Sequence, residues 1–270
     1  MQYWLVMPAA GVGRRFGEQR PKQYAPLRGR TVIEWALAPF LADARCAGIV
    51  IALASGDPYW PQIAARLAGV GASRIVIADG GAERSGSVRN GLAALGTTAK
   101  ADDWVLVHDA ARPCLLARDL SRLLESVELR PERSGGNPEK RQWRDAGPPG
   151  GLLATPAADT LKRAASPSTE VREVEQTVDR SGLWRALTPQ MFRYARLCEA
   201  LDEAAAAGRF PTDEAQAIEW LGGRPVLVEG SASNIKITSA DDLVLAEALL
   251  GARAGFLAER ADIGNGGGKG

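Results

Sequence analysis

Short apolar runs alternate with helix-like stretches through the first 107 residues, and this alternation leaves few folds open. Residues 3–7 (YWLVM), 48–54 (GIVIALA), 74–78 (RIVIA) and 103–107 (DWVLV) read as buried strands. Between them, 31–41 (TVIEWALAPFL) opens with a Thr-x-x-Glu capping box, a Pro58-led segment runs to about Leu67, and Arg84–Leu95 reads as a further helix. Parallel strands need crossovers of this length, and those crossovers are right-handed. The expected fold is therefore α/β, a Rossmann-like, mostly parallel sheet flanked by helices on both faces. Ligands in such sheets sit beyond the carboxyl ends of the strands. Three informative stretches occupy those ends: Pro8–Tyr24, Asp79–Ser87 and His108–Pro113.

The first of these, PAAGVGRRFGEQRPKQY, carries Gly11 and Gly13 after two alanines, then Arg15 and, seven positions on, Lys22. Small residues let the backbone bend and offer successive N–H groups to an anion, and the two cations add full charge. A strand, an amide-lined turn and an Arg/Lys pair together suit a polyphosphate. Two generic motifs are excluded. A dinucleotide fingerprint needs a third glycine where Phe16 stands, and a P-loop needs a terminal Gly-Lys-Ser/Thr that is absent.

The 270 residues suit one large α/β domain, and 46% apolar residues are ample for a core. A net charge of +1 gives no support for nucleic-acid or anionic-membrane binding, so local cations are read as site features. No apolar run approaches a membrane span, and no secretory leader is evident. Cys46, Cys114 and Cys198 are odd in number and without C-x-x-C spacing, which points to reduced thiols in a cytoplasmic protein.

Residues 1–254 are expected to form a single domain. Within it, 130–150 is rich in Pro, Gly and charge and reads as a long surface loop. Residues 151–156 (GLLATP) resume as a strand. Residues 159–180 are polar with β-branched positions and few core candidates, an extended β arm whose apolar face another subunit would cover. Helices are expected at about Phe192–Ala207 and Thr212–Leu221, with Thr212 as the cap, and strands at Pro225–Val228 and Asn234–Ile237. A last helix runs from Ser239 to about Ala252. The tail, 255–270, is expected to be disordered.

Six ordered motifs carry a resemblance: PAAGVGRRF with PKQY, DGGAERSGSV, VHDAARP, TVDRSGLWRALTPQ, TDEA and VEGSASNIKIT. Together they resemble the 2-C-methyl-D-erythritol 4-phosphate cytidylyltransferase family of the non-mevalonate isoprenoid pathway, over about Tyr3 to Ala246. The resemblance implies a nucleotidyltransferase-type fold and a Mg²⁺-dependent transfer of CMP from CTP to a polyol phosphate, with the metal held mainly by the CTP phosphates. It implies four catalytic cations. Arg15 and Lys22 hold the triphosphate, and Arg180 and Lys236 hold the attacking phosphate. The base lies against Ala9 and Ala10 on one side and Gly81, Ala82 and Ser87 on the other. Gly11, Gly13, Arg84 and Ala110 belong to the same substrate-binding set. Asp109 and Arg112 face the polyol hydroxyls and phosphate, with Asp109 also a possible metal neighbour; Thr160 and Thr188 are further donors. Family members can carry an acidic residue where this chain has Ala82. The family also implies a homodimer in which the 159–180 arm brings Thr160 and Arg180 to the neighbour's site. His108, the sole histidine, is read as structural. Two rival readings share parts of this pattern: a ribitol 5-phosphate cytidylyltransferase, and a non-catalytic nucleotide-binding relative.

Overall fold

The computed structural model describes residues 1–11, 20–69, 71–128, 150–165 and 172–265. Its strands and helices follow in the order β1 (Tyr3–Pro8), β2 (Pro26–Leu27), β3 (Arg30–Thr31), α1 (Val32–Leu41), β4 (Cys46–Leu53), α2 (Trp60–Leu67), β5 (Ile75–Asp79), α3 (Arg84–Leu95), β6 (Trp104–Val107) and α4 (Ala117–Glu128). Then come β7 (Gly150–Pro156), β8 (Leu161–Ala164), β9 (Val174–Val178), β10 (Trp184–Arg193), α5 (Tyr194–Ala206), α6 (Glu214–Trp220), β11 (Val226–Glu229) and α7 (Ala240–Asn265).

Seven strands form the main sheet in the order β11-β7-β10-β6-β1-β4-β5. All neighbours are parallel except β10, which runs antiparallel to both β6 and β7. The sheet is thus mostly parallel, as expected. Its central strands read as unbroken apolar runs because both faces are covered. On one face Leu5, Met7, Ile49 and Ile51 meet Ile33, Leu37 and Phe40 of α1 and Leu120, Leu123 and Leu124 of α4. On the other, Val6, Val50, Val105 and Val107 meet Val88 and Leu92 of α3 and Leu197 and Leu201 of α5. The α3–β1 contact needs a glycine. A Cβ on Gly91 would stand 2.6 Å from Val6 Cγ1, well inside van der Waals contact.

Helix α1 begins as its capping box dictates. The Thr31 N–H donates to Glu34 Oε2 at 2.7 Å, and Arg66 of α2 grips the same carboxylate through two nitrogens, each at 2.9 Å. Among the described residues no helix is long and apolar enough to cross a membrane.

Several boundaries differ from expectation. Residues 234–237 form no strand; they run as a loop tied by the Ile237 N–H to the Ala111 carbonyl. Asp213, not Thr212, caps α6, its carboxylate accepting from the Gln216 N–H at 2.9 Å. Phe192 belongs to β10, and α5 starts two residues later. Helix α7 continues to Asn265, so 255–265 are helical, while 266–270 lie outside the described residues. Most of the 130–150 stretch also lies outside them.

The Glu34 carboxyl connects this fold to acid stability. Burial would raise it, but the bonds from Arg66 and Thr31 win and hold it below its ordinary value of 4.5. A carboxyl lowered in the folded state stabilises the protein above its unfolded pKa, and that stability is lost as pH falls through the folded one. Glu34→Gln should therefore lower the unfolding free energy at pH 7 by about 1–2 kcal/mol, since Arg66 is half exposed. In denaturant titrations the gap from wild type should narrow below pH 4.5; a gap that stays constant with pH would contradict this role.

Candidate active site

The chain runs from β1 to one side of the sheet (β4, β5) and then returns to the other side of β1 as β6. This reversal opens a crevice beyond the carboxyl ends of β1 and β6, where α/β sheets bind ligands. A cavity of about 530 Å³ lies there. One wall is Pro8–Gly11 with Lys22 and Gln23; another is Gly81–Arg84 with Ser87; a third is Asp109–Ala111 with Lys236.

Each wall is fixed by local bonds. The Ala9 N–H donates to the Ala52 carbonyl, and Gln23 Nε2 donates to the Ala9 carbonyl at 2.7 Å, fastening the Lys22 turn to the end of β1. The Gly80–Gly81 turn fits too closely for side chains: a Cβ at Gly81 would stand 2.7 Å from the backbone of Gly86. Ser87 closes this turn, its hydroxyl accepting from the Gly81 N–H at 3.0 Å and lying 3.3 Å from the Glu83 carbonyl.

Asp109, 6% exposed, sits among cations. Its Oδ1 accepts from Arg84 Nε at 3.0 Å, its Oδ2 lies 2.9 Å from Lys236 Nζ, and Arg112 Nε stands 3.5 Å away. Burial alone would raise this carboxyl, but the three cations hold it well below the usual carboxylate range. Arg84 in turn gives both terminal nitrogens to Glu214 of α6, at 2.6 and 3.1 Å. Burial pulls the Glu214 carboxyl upward against the attraction of Arg84.

Behind Asp109 four buried residues close a ring. His108 Nε2 donates to the Arg112 carbonyl (3.2 Å), because that carbonyl can only accept. Arg112 donates to the Asn234 carbonyl (2.7 Å), and Asn234 Nδ2 donates to the Thr188 carbonyl (2.7 Å). The Thr188 hydroxyl completes the ring by donating to His108 Nδ1 (2.9 Å), and it also accepts from the Asp109 N–H (3.1 Å). Burial lowers His108 to about 4, so the imidazole is neutral near pH 7 and this tautomer persists. The ring joins the loops after β6 and β11 to the middle of β10.

The expected site residues thus fall into four groups. Ala9, Ala10, Gly11, Lys22, Gly81, Ala82, Arg84, Ser87, Asp109, Ala110 and Lys236 line the cavity. Arg112 and Thr188 are not among the lining residues; both bond within the ring, and Arg112 Nε faces Asp109. Thr160 and Arg180 are exposed at the ends of the β8–β9 hairpin and do not line the cavity. Gly13 and Arg15 lie outside the described residues. Sequence reasoning did not single out Gln23, Asn234 or Glu214 as site residues. Asn234 stood in the NIK motif beside Lys236, but nothing local marks the ring or the Arg84–Glu214 pair, whose members are 130 positions apart.

Among the described residues no group of three or more His, Cys, Asp or Glu side chains is placed to hold a metal ion. Asp109 has both oxygens committed to cations, so it does not fit the part of a metal ligand in this arrangement.

Thr188→Val keeps the shape but leaves the Asp109 N–H and His108 Nδ1 without partners. It should cost about 1–3 kcal/mol of stability for each, whereas Thr188→Ser should stay near wild type. Denaturant unfolding of both variants checks this, and a stable valine variant would contradict the ring.

Comparisons with known proteins identify the family. The model of the 2-C-methyl-D-erythritol 4-phosphate cytidylyltransferase (IspD) family matches residues 3–135 and 140–252. Relatives of that name are 50% identical over 255 residues in Halorhodospira halophila (93% of this chain, 95% of the relative) and 52% identical over 244 residues in Pseudomonas aeruginosa (90% and 93%). A solved 4-diphosphocytidyl-2C-methyl-D-erythritol synthase superposes with a TM-score of 0.72 at 34% identity, covering 92% of this chain and 99% of that one. The Thermus thermophilus cytidylyltransferase gives 0.68 at 33%, covering 92% and 98%. With most of its length matched, a sheet of the same kind and the motif residues gathered at the switch point, the chain belongs to the 2-C-methyl-D-erythritol 4-phosphate cytidylyltransferase family.

Proposed function

We propose that the protein transfers CMP from CTP to 2-C-methyl-D-erythritol 4-phosphate. A phosphate oxygen of the polyol phosphate attacks the α-phosphorus in line. The new P–O bond forms as the bond to the bridging oxygen of the β-phosphate breaks, and its electron pair leaves with pyrophosphate. The attacking phosphomonoester, with a second pKa of about 6, is largely a dianion near neutral pH and needs no general base. What the site must supply is position and positive charge. The observation that carries this reading is the cavity itself, in which Lys22 and Lys236 come from separate segments to one crevice walled by small residues. Cytosine would lie between the small-residue walls Ala9–Ala10 and Gly81–Ala82. Ser87 has its hydroxyl turned to Gly81 and Glu83, so it supports that wall rather than leading the contact. Mg²⁺ would be held mainly by the CTP phosphates rather than by carboxylates of the chain, and would supply further positive charge to the triphosphate.

The same proposal includes a homodimer with shared sites. Thr160 and Arg180 flank a hairpin that stands away from their own cavity, and its Val174 is 62% exposed in the single chain. A partner subunit would cover that apolar surface and receive Arg180 beside its substrate. Cys46, Cys114 and Cys198 are free thiols, which fits a cytoplasmic enzyme.

Pyrophosphate release with CTP and Mg²⁺ should occur with methylerythritol 4-phosphate and not with ribitol 5-phosphate. Turnover with ribitol 5-phosphate alone would move the assignment to that cytidylyltransferase. CTP binding without turnover on either would leave a nucleotide-binding relative. Lys22→Ala should cost about 3–4 kcal/mol in the barrier, by analogy with a lost oxyanion donor. Mixing Lys22→Ala with Arg180→Ala subunits should restore part of the activity, because one site in each mixed dimer keeps both cations. No recovery, with subunit exchange demonstrated, would contradict the shared site.

A further inference from the structure

Glu214 is 1% exposed and does not line the cavity, yet its carboxylate is bonded directly to Arg84, which does. It is the first residue of α6, and that end of the helix is fixed to β10. Gln190 Oε1 accepts from the Ala215 N–H at 2.8 Å, and Gln190 Nε2 donates to the Asp213 carboxylate at 2.9 Å. From this anchored point Glu214 takes both terminal nitrogens of Arg84. A guanidinium is planar and rigid, so fixing two nitrogens fixes the direction of the third. That third nitrogen, Nε, meets Asp109 Oδ1, and the other oxygen of Asp109 meets Lys236.

We propose that Glu214 is a positioning residue: by holding the Arg84 fork it sets the orientation of Asp109, and through Asp109 the place of Lys236 in the cavity. The chain of contacts runs from α6 to α3, to the loop after β6 and to the loop after β11. No other described carboxylate bonds Arg84 besides Asp109 itself. The inference rests on the cytidylyltransferase reading for its kinetic test and on geometry alone for its spectroscopic one.

The kinetic test uses Glu214→Gln, Arg84→Ala and the double variant, in pyrophosphate release with CTP and methylerythritol 4-phosphate. Glu214→Gln keeps the volume but removes the charge and replaces one of the two acceptor oxygens facing the Arg84 fork with a donor. It should lower kcat/KM for the polyol phosphate about 10- to 100-fold, the range set by small misplacements of reacting groups. In the Arg84→Ala background the same substitution should cost less than about twofold more, since Glu214 acts through Arg84. Losses that simply multiply, or a variant that melts early but turns over normally, would overturn the proposal. Glu214→Asp, which keeps the charge and shortens the reach, substitutes if the glutamine variant is too unstable to assay.

The second readout needs no turnover. In ¹⁵N-arginine-labelled protein, the Arg84 Nε–H resonance, identified by its loss in Arg84→Ala, should shift or broaden in the Glu214 variant. An unchanged resonance would sink the positioning role even if transfer activity were found. A wild type silent in the transfer assay would instead count against the proposed reaction and leave this resonance to decide.

Discussion

The site depends on one buried carboxylate among cations. Removing Asp109 from water costs several kcal/mol, and only close, hydrogen-bonded opposite charges offset that. Arg84, Lys236 and Arg112 provide them, each from a different position in the chain, and so the carboxylate draws three segments to one point. With Glu214 behind Arg84, three cations face two carboxylates, which leaves one positive charge over. On the proposed reaction the cavity would hold a triphosphate beside a phosphate dianion, and an excess fixed before the substrates arrive suits that task.

The sheet makes this gathering possible. Because the chain reverses about β1, the loops after β1, β5 and β6 open on one side, and the antiparallel β10 passes beside them with Thr188 at the height of Asp109. The His108 ring then ties β10 to two of the neighbouring loops through buried side chains, with its imidazole neutral near pH 7. The ring sits behind the wall, and Lys22, Arg84 and Lys236 line the cavity in front of it.

Much of this was legible in the chain because buried parallel strands are apolar on both faces. β1, β4 and β6 stand out as continuous runs, and α1 and α3 start where a capping box and Arg84 place them. β10 did not stand out. Its first three residues are exposed and Pro189 interrupts its apolar pattern, so the segment reads as a motif rather than a strand. Asn234–Ile237 erred the other way: its apolar alternation suggests a strand, but the backbone there bonds to a loop and Asn234 turns inward. Lys22, Lys236 and the small residues were found through motifs. Thr188 and Arg112 were found as well, as substrate contacts; their bonds within the buried ring left no trace in the sequence. Glu214 was passed over because a partner 130 positions away leaves no local trace. Arg15 lies outside the described residues, and Arg180 does not line the cavity of its own chain.

The most direct measurement is the steady-state kinetics of Asp109→Asn, with CTP affinity determined separately by titration. An organising role for Asp109 predicts that the folded variant binds CTP within a few-fold of wild type but loses about 100-fold or more in kcat/KM for methylerythritol 4-phosphate, the scale of one lost preorganised charge. Near-normal turnover would show that the cations hold their places without it, and would contradict the central role given to that carboxylate.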